Sequence, residues 1–334
     1  MRTKTNLPML LFGMALANMP VEAGTTKRIV PATNRTHNGV RAVMWRHPDN
    51  IASRDLVYGV GGKANQPRGR FTFVEEDLGG TNPKFLVEDS QGQRWKVKLG
   101  TEARSETTAT RLLWAVGYLV DQDYFSPEIT VRGLKKLNRG QKFVLKGGTV
   151  RGARLERQLK RSQKIGNWSW NRNPFVGTRE LNGLAVMMSL ISNWDLKKSN
   201  NDVYRIGDEY HYVVSDVGAT FGDSDLWRRR KADLKAYQKA KFVRKTDLEE
   251  VDLRLPVRPP SLHVFAFPRY IQRTRLASIA SDLPRHDVEW IGRLLSQLSA
   301  RQIADAFRAG GFSVHEVEGY SEAVRNRIAQ VIQQ

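Results

Sequence analysis

The chain has 334 residues, 40% of them hydrophobic, which is enough to bury one large core or two lobes. It has no cysteine and only six scattered histidines, so disulfides, zinc–thiolate sites and thiol nucleophiles are excluded and a structural metal cage is disfavoured. The formal net charge of +20 favours an anionic partner, such as nucleic acid, acidic lipid, an acidic polymer or an acidic peptide, although a solvated basic surface would have the same composition.

The first 23 residues have the pattern of a secretory signal peptide. Arg2 and Lys4 precede an apolar run over residues 7–17, and Val21-Glu22-Ala23 offers a small-residue cleavage site. The run is too short to span a bilayer. We therefore expect export to the periplasm or the medium after cleavage near Ala23, the alternative being a buried N-terminal helix in a cytoplasmic protein.

Residues 24–65 are polar and weakly patterned, which indicates a linker with at most one early strand. Three strands are predicted after it, over residues 70–74, 84–87 and 94–99, because apolar and polar residues alternate there. The loop between the first two strands contains Gly79, Gly80 and Thr81. Its backbone N–H groups could lie over phosphates, although a glycine pair is first of all a turn signal.

A buried ion pair is predicted between the third strand and the helix that follows it. Lys96 and Lys98 share one face of the strand, and a helix is predicted over residues 101–118 with Thr101 as its N-cap. Glu106 lies on the apolar stripe of this helix, and an inward carboxylate needs a cationic partner. Lys98 with Glu106 is the favoured pair. Lys96 and Glu102 are the alternatives, since strand lysines commonly face solvent and Glu102 suits a solvated helix start.

The middle of the chain is predicted to change lobes. Strands are expected over residues 128–131 and 142–146, with Gly147-Gly148 as a hinge and a basic helix over residues 151–164. Trp168 and Trp170 follow the basic run. Aromatic rings beside basic residues can stack on single-stranded nucleic acid, but packing of a loop is the favoured interpretation.

The most informative stretch follows a predicted apolar helix that begins at Thr178-Arg179-Glu180. Asp195 lies in a short polar loop with Asn200 five residues later, two short strands follow, and the second ends at Asp216-Val217-Gly218. This layout lets the first aspartate face a substrate hydroxyl while the asparagine and the second aspartate hold a metal on the phosphates of a nucleotide.

Asp195-Leu196-Lys197 with Asn200 resembles the D-L-K-x-x-N loop of kinases, and Asp216-Val217-Gly218 resembles their D-F-G. With the strand that ends in Lys98 and the helix that carries Glu106, the chain resembles the atypical branch of the protein-kinase-like superfamily. HipA-type kinases, phosphatidylinositol-kinase-like proteins and exported bacterial relatives form this branch. The resemblance implies a two-lobed α+β fold, with a β-rich lobe over residues 66–148 and a mainly helical lobe over residues 149–334.

The resemblance also implies ATP and Mg²⁺ as cofactors and a role for each matching residue. Asp195 would accept the proton of the substrate hydroxyl, and Lys197 would neutralise the transferring phosphoryl group. Asn200 and Asp216 would bind Mg²⁺, with Asn201 as an alternative to Asn200. The same resemblance assigns nucleotide binding to Lys98, Glu106, Gly79, Gly80 and Thr81.

Two positions depart from the kinase pattern. Asn193-Trp194 stands where kinases have His-Arg, and Val217 stands where Phe usually packs. Kinase-style regulation by a phosphorylated loop is therefore not expected.

The remainder of the chain is predicted to be basic and then helical. A basic segment over residues 227–245 lies where substrate would approach, and a proline-broken loop covers residues 256–268. Helices are expected over residues 287–298 and 299–307, the latter with a capping box, and from about residue 314 to the end.

The sequence thus predicts a kinase-like phosphotransferase that moves the γ-phosphoryl group of ATP to a hydroxyl on an acidic protein, lipid or polymer. An anionic membrane surface is a further expected partner, and nucleic acid is less favoured. The alternative is an exported pseudokinase or a basic non-catalytic module. Retention of every catalytic residue type favours the enzyme, whereas the export signal and the missing His-Arg favour the alternative.

Overall fold

The computed structural model describes residues 35–80, 82–159, 163–224, 229–257 and 276–334. The predicted signal peptide, Thr81 and most of the proline-broken loop lie outside the described residues. Within these ranges, no helix combines the length and the apolar character needed to cross a membrane.

The described elements are mixed α and β, as the sequence predicts. The strands are β1 (Thr36–His37), β2 (Val40–Val43), β3 (Phe71–Asp77), β4 (Lys84–Glu88), β5 (Arg94–Leu99), β6 (Asp123–Arg132), β7 (Thr149–Arg157), β8 (Gln163–Asn167), β9 (Asn201–Ile206), β10 (Glu209–Val214), β11 (Asp223–Ser224), β12 (Arg229–Arg230), β13 (Val243–Thr246), β14 (Glu250–Leu253) and β15 (Leu283–Pro284). The helices are α1 (Thr101–Ala115), α2 (Arg179–Leu190), α3 (Leu234–Lys239), α4 (Arg285–Leu295), α5 (Ala300–Ala309) and α6 (Val314–Ile332).

Strands β3 to β7 form a closed barrel in the order β3-β4-β5-β7-β6. All neighbours are antiparallel except β3 and β6, which pair in parallel and close the barrel. The interior is apolar because alternate residues of each strand point inward. On β5 these are Trp95, Val97 and Leu99, all buried, so that Lys96 and Lys98 lie on the opposite face.

Two predictions for the middle of the chain are wrong. Residues 142–146 are not a strand, since short 3-10 turns cover Gln141–Phe143 and Lys146–Gly148. The described residues of the range 151–164 do not form a helix, since they contribute to β7 and β8. In β7 the charged Arg154 and Glu156 alternate with the buried Ala153 and Leu155, which is a strand period rather than a helical one. The barrel therefore extends beyond the predicted boundary at residue 148.

The second sheet has the order β1-β2-β10-β9-β8. Strands β9 and β10 form the predicted hairpin, and β2 pairs in parallel with β10. Part of the predicted linker thus belongs to the sheet, and the adjoining Met44, Ile51 and Leu56 are buried in the main core. Trp168 and Trp170 are buried as well, with ring centroids 5.3 Å apart. This confirms the prediction that they pack within the protein rather than form an exposed surface for stacking on bases.

Four of the six described helices, α2, α3, α5 and α6, begin at a side-chain cap, whereas α1 and α4 do not. Thr178 caps α2 by accepting a hydrogen bond from the Leu181 N–H at 3.3 Å. Ser299 and Gln302 form the predicted capping box of α5, and Ser313 caps α6 in the same way. Helix α1 forms where it is predicted, but its predicted N-cap is wrong, because Gly100 occupies the N-cap and Thr101 is the first helical residue.

Candidate active site

A cleft of about 360 Å³ lies where β5, β7 and the glycine-bearing loop of the barrel face the loops around Asn200 and Asp216. The residues that line it are Gly79, Gly80, Asn82, Lys84, Lys96, Lys98, Glu106, Asp121, Arg154, Glu156, Lys164, Lys197, Ser199, Asn200, Asp202, Ser215 and Asp216. Most of the predicted site residues are therefore brought to one place from distant parts of the chain.

Lys98 lies at the centre of the charged groups in this cleft. Its Nζ atom is 2.7 Å from Glu106 Oε2 on α1 and 2.7 Å from Asp216 Oδ1. The lysine is only 6% exposed, so it is not one of the strand lysines that face solvent. The structure thus forms the predicted strand–helix ion pair and places it against the aspartate of the predicted metal loop.

Burial and charge compete at these three groups. Burial raises the pKa of Glu106 to about 7, against the opposing influence of Arg154 and Lys98. Burial also acts to raise the pKa of Asp216, but nearby Lys98 outweighs it and the pKa of Asp216 is lowered. For Lys98, burial acts to lower the pKa, and the carboxylates of Glu106 and Asp216 raise it well above its ordinary value. Lys98 and Asp216 are therefore both charged at neutral pH, whereas Glu106 titrates near neutrality.

Glu102, the alternative partner, also reaches this centre. Its Oε2 atom lies 3.2 Å from Lys98 Nζ and accepts a hydrogen bond from Asn82. Its Oε1 atom pairs with Lys231, which lies just after β12. Glu102 is therefore a buried link between the glycine-bearing loop, the strand and the basic segment, not a solvated acid at a helix start.

The two predicted loops are joined through Asn200. Its Nδ2 atom donates to the Asp195 carbonyl at 2.6 Å. Its own carbonyl accepts from the N–H groups of Ser215 and Asp216, at 3.2 and 3.1 Å. Asn201, the alternative, belongs to β9, and its amide contacts the Trp168 carbonyl at 3.4 Å. Asn200 is therefore the asparagine that faces the cleft.

Asp195 is held by its neighbours in the loop. Lys197 Nζ lies 2.9 Å from Asp195 Oδ2. The Asp195 N–H donates to Asn193 Oδ1 at 3.0 Å. Asn193, which the sequence treats only as a departure from the kinase pattern, is thus a positioning residue for the aspartate. The signal was available, since an asparagine side chain readily bonds the backbone two residues later.

The glycine-bearing loop meets only part of its prediction. Gly79 and Gly80 line the cleft, while Thr81 lies outside the described residues. The Gly79 N–H already donates to Asp77 Oδ1 at 2.8 Å, and Arg139 bonds the Asp77 carbonyl at 3.0 Å. The Gly79 N–H is therefore used within the loop, which is braced against the barrel.

Two further charged residues of the cleft lie on β7 and are missed by the sequence-based prediction. Arg154 pairs with Lys98 in the strand register, and its side chain is almost fully buried. Its guanidinium bonds Asp123 Oδ2 at 2.6 Å and Glu156 Oε2 at 2.9 Å, and lies 3.4 Å from Glu106. Arg154 thereby fixes the carboxylates behind Lys98.

Asn200 and Asp216 fit a magnesium ion carried with phosphates. The described residues contain no group of three or more His, Cys, Asp or Glu side chains that could form a metal cage. Mg²⁺ does not need one, because it is commonly bound through one or two protein oxygens plus phosphate and water oxygens. The Asn200 amide nitrogen is used by Asp195, so its oxygen is the atom that remains for a metal beside the ionised Asp216.

No protein-family model matches the chain, and no curated protein matches it. Among solved structures it is similar to the Helicobacter pylori proinflammatory kinase CtkA, with a TM-score of 0.47 and 12% identity over 80% of this chain and 96% of that one. It is also similar to the Golgi casein kinase, with a TM-score of 0.35 and 11% identity over 80% and 73% of the two chains. A Shewanella oneidensis MR-1 complex of HipA, HipB and operator DNA gives a TM-score of 0.34 and 12% identity over 80% and 68%.

Proposed function

We propose that the protein is a Mg²⁺-dependent phosphotransferase that moves the γ-phosphoryl group of a nucleoside triphosphate, ATP in the sequence-based prediction, to a hydroxyl. The observation that carries this proposal is the position of Lys98 Nζ, 2.7 Å from both Glu106 and Asp216. A cation held by a helix carboxylate and facing an oxygen ligand for a metal is the arrangement that grips nucleotide phosphates in kinases.

Each residue then has a role that follows from its place. Lys98 binds phosphate oxygens, and Glu106 holds the lysine in position. Asn200 and Asp216 would hold Mg²⁺, which when bound neutralises phosphate charge. Catalysis of this kind depends on positioning and charge neutralisation, so it needs no covalent intermediate.

Asp195 and Lys197 act on the acceptor side. Asp195 orients the incoming hydroxyl and takes its proton; Asn193 and Asn200 support this role by holding its backbone N–H and carbonyl in the loop. Lys197, at 2.9 Å from Asp195, places a positive charge next to the transferring group. The hydroxyl proton moves to Asp195 while the γ-phosphoryl group moves to the hydroxyl oxygen; its bond to the β-phosphate oxygen breaks and the nucleoside diphosphate leaves.

The acceptor is proposed to be acidic. A net charge of +20 steers anionic molecules toward the protein and repels basic ones. An acidic protein, polymer or lipid, at an anionic membrane surface in the last case, fits this field, and nucleic acid fits it with less support from the site. We also propose export after cleavage near Ala23. A blot of cell fractions, with the N-terminal sequence of the mature protein determined, tests this proposal.

A phosphoryl-transfer assay tests the proposed function. Purified mature protein is incubated with Mg²⁺ and γ-labelled ATP or GTP, with an acidic protein or anionic vesicles as the acceptor and with buffer alone as the control. We expect labelled product or nucleotide hydrolysis with the wild type. Asp195→Asn should bind nucleotide but lose turnover by about 100-fold or more, as loss of a catalytic base does. Asp216→Asn should lose Mg²⁺-dependent nucleotide binding as well.

The same assay identifies the alternatives. Mg²⁺-dependent nucleotide binding without any turnover, in the wild type and in Asp195→Asn alike, would indicate a pseudokinase. Steeply salt-dependent binding to anionic vesicles, heparin or DNA that Asp216→Asn leaves unchanged, with no nucleotide binding, would indicate a basic non-catalytic module. Either result would refute the phosphotransferase.

A further inference from the structure

Three carboxylates share the single ammonium group of Lys98. Glu106 and Asp216 each lie 2.7 Å from its Nζ atom, and Glu102 lies 3.2 Å from it. An ammonium has three donors, so these contacts occupy all of them. A phosphate oxygen that enters the cleft has to take a donor from one of the carboxylates. The contact with Glu102 is the longest, and therefore the weakest, of the three.

A carboxylate in the place of Glu102 opposes phosphate binding unless a second cation neutralises it. Glu102 is 6% exposed, so water and salt screen its charge only weakly. Alone beside Lys98, it would repel the like charge of a phosphate group and compete with that group for the ammonium donors. The site therefore needs a cation for Glu102 other than Lys98.

Lys231 is that second cation. Its ammonium group pairs with Oε1 of Glu102, whereas Oε2 is the oxygen that faces Lys98. Lys231 is not one of the residues that line the cleft, so its contact with the site is made through Glu102. It comes from the basic segment on the acceptor side, not from the barrel or from α1.

The backbone holds Lys231 in place on both sides. Strand β12 ends at Arg230, which lies opposite Asp223 in the pairing with β11. On the other side, the Ala232 N–H donates to the Thr220 carbonyl at 3.0 Å. Thr220 and β11 both follow closely after Asp216-Val217-Gly218 in the chain, so Lys231 is anchored to the continuation of the predicted metal loop.

Helix α1, which carries Glu102, is fixed to the same loop. Ser105 Oγ donates to the Gly218 carbonyl at 2.8 Å. A side chain at position 218 would place its Cβ atom 2.7 Å from Glu102 Cβ, which is too close for any residue but glycine. The pair of Lys231 with Glu102 thus joins two segments that the loop already brings together.

We propose that Lys231 is a positioning residue of the nucleotide site, which holds and neutralises Glu102 so that Lys98 remains available to phosphate oxygens; this rests on the phosphotransferase function proposed above. The basic segment that contains Lys231 then does more than attract an acidic acceptor. Through Glu102 it contributes to binding of the phosphoryl donor, so one carboxylate connects the acceptor side of the protein to the nucleotide side.

A double-mutant cycle on the binding of Mg-ATP tests the proposal. Calorimetry gives the affinities of the wild type, Lys231→Met, Glu102→Gln and the double variant. Lys231→Met should weaken Mg-ATP binding about tenfold or more, as loss of a charge-assisted contact does. In the Glu102→Gln background no charge is left to neutralise, so the same substitution should change the affinity by less than about threefold.

Two further variants separate this role from net charge and from folding. Lys231→Arg keeps the positive charge and should bind Mg-ATP within about threefold of the wild type. Lys235→Met removes the same charge from an exposed position on α3, four residues further along, and should leave the affinity unchanged. If Lys231→Met fails to fold, Lys231→Gln replaces it in the cycle.

The outcomes distinguish this proposal from the function on which it rests. Mg-ATP binding that Lys231→Met leaves unchanged would overturn the role of Lys231 while the phosphotransferase stands. A loss that is equally large in the Glu102→Gln background, in Lys231→Arg or in Lys235→Met would overturn it too, because Lys231 would then act without Glu102 or without regard to its charge. Failure of the wild type to bind Mg-ATP would overturn both proposals.

Discussion

Replacement of Glu106 by glutamine should stabilise the protein at alkaline pH while it impairs function. Glu106 is 2% exposed, and burial raises its pKa from 4.5 to about 7. The folded protein thus binds this proton more tightly than the unfolded chain does. The favourable contribution is complete at low pH and is lost as the pH rises through about 7. Glu106→Gln removes the titrating group but keeps its size.

The size of the effect follows from the two pKa values. From about pH 5.5 to about pH 8, the unfolded chain has already lost the proton, and the folded protein gives it up only near 7. Stability therefore falls by about 1.4 kcal/mol per pH unit over about 1.5 units, which is about 2 kcal/mol. All other titrating groups are common to both proteins, so the difference between wild type and Glu106→Gln isolates this carboxyl.

Urea unfolding at the two pH values, followed by the fluorescence of the eight tryptophans, measures this difference. The free energy of unfolding of Glu106→Gln, relative to the wild type, should rise by about 2 kcal/mol between about pH 5.5 and about pH 8. Turnover should fall in the same variant, because glutamine attracts Lys98 less strongly than a carboxylate does. Parallel pH dependence of the two unfolding free energies would refute the assignment of Glu106 as a buried group that ionises near neutrality.

Two further substitutions test the supports of the site. Asn193→Ala removes the acceptor that holds the Asp195 N–H at 3.0 Å. In steady-state kinetics, kcat should therefore fall about tenfold or more while the KM for the nucleotide changes little. A selective rise in KM would show that Asn193 does not position the base. Arg154→Met leaves the buried Asp123 without one of its cationic partners and should cost about 3–5 kcal/mol in urea unfolding, whereas a loss below about 1 kcal/mol would show that this buried network is dispensable.

The sequence predicts the central ion pair because a local signal carries it. Glu106 lies on the apolar stripe of α1, where an inward carboxylate needs a cationic partner. Lys98 is only eight residues away in the chain, so the geometry of the strand, the turn and the helix brings it to Glu106. The hairpin of β9 and β10 and the capping box of α5 are predictable for the same reason, since each depends on residues close in sequence.

The other wall of the cleft depends on distant pairings. Arg154 and Glu156 lie in a run of charged residues that suggests a solvated helix when read alone. Only the pairing of β7 with β5 turns these side chains toward Lys98 and Lys96, and that pairing joins segments far apart in the chain. The parallel pairing of β2 with β10 is equally non-local, which is why a polar segment that contributes to the sheet reads as a linker.

Calorimetric titration of nucleoside triphosphate onto the wild type and Asp216→Asn, each with and without Mg²⁺, tests the central claim most directly. That claim is that Lys98, Glu106 and Asp216 meet in order to hold a metal-bound triphosphate. The wild type should bind nucleotide in a Mg²⁺-dependent manner, and Asp216→Asn should lose that dependence. Equal nucleotide binding by both proteins, or nucleotide binding by the wild type that does not depend on Mg²⁺, would contradict the account.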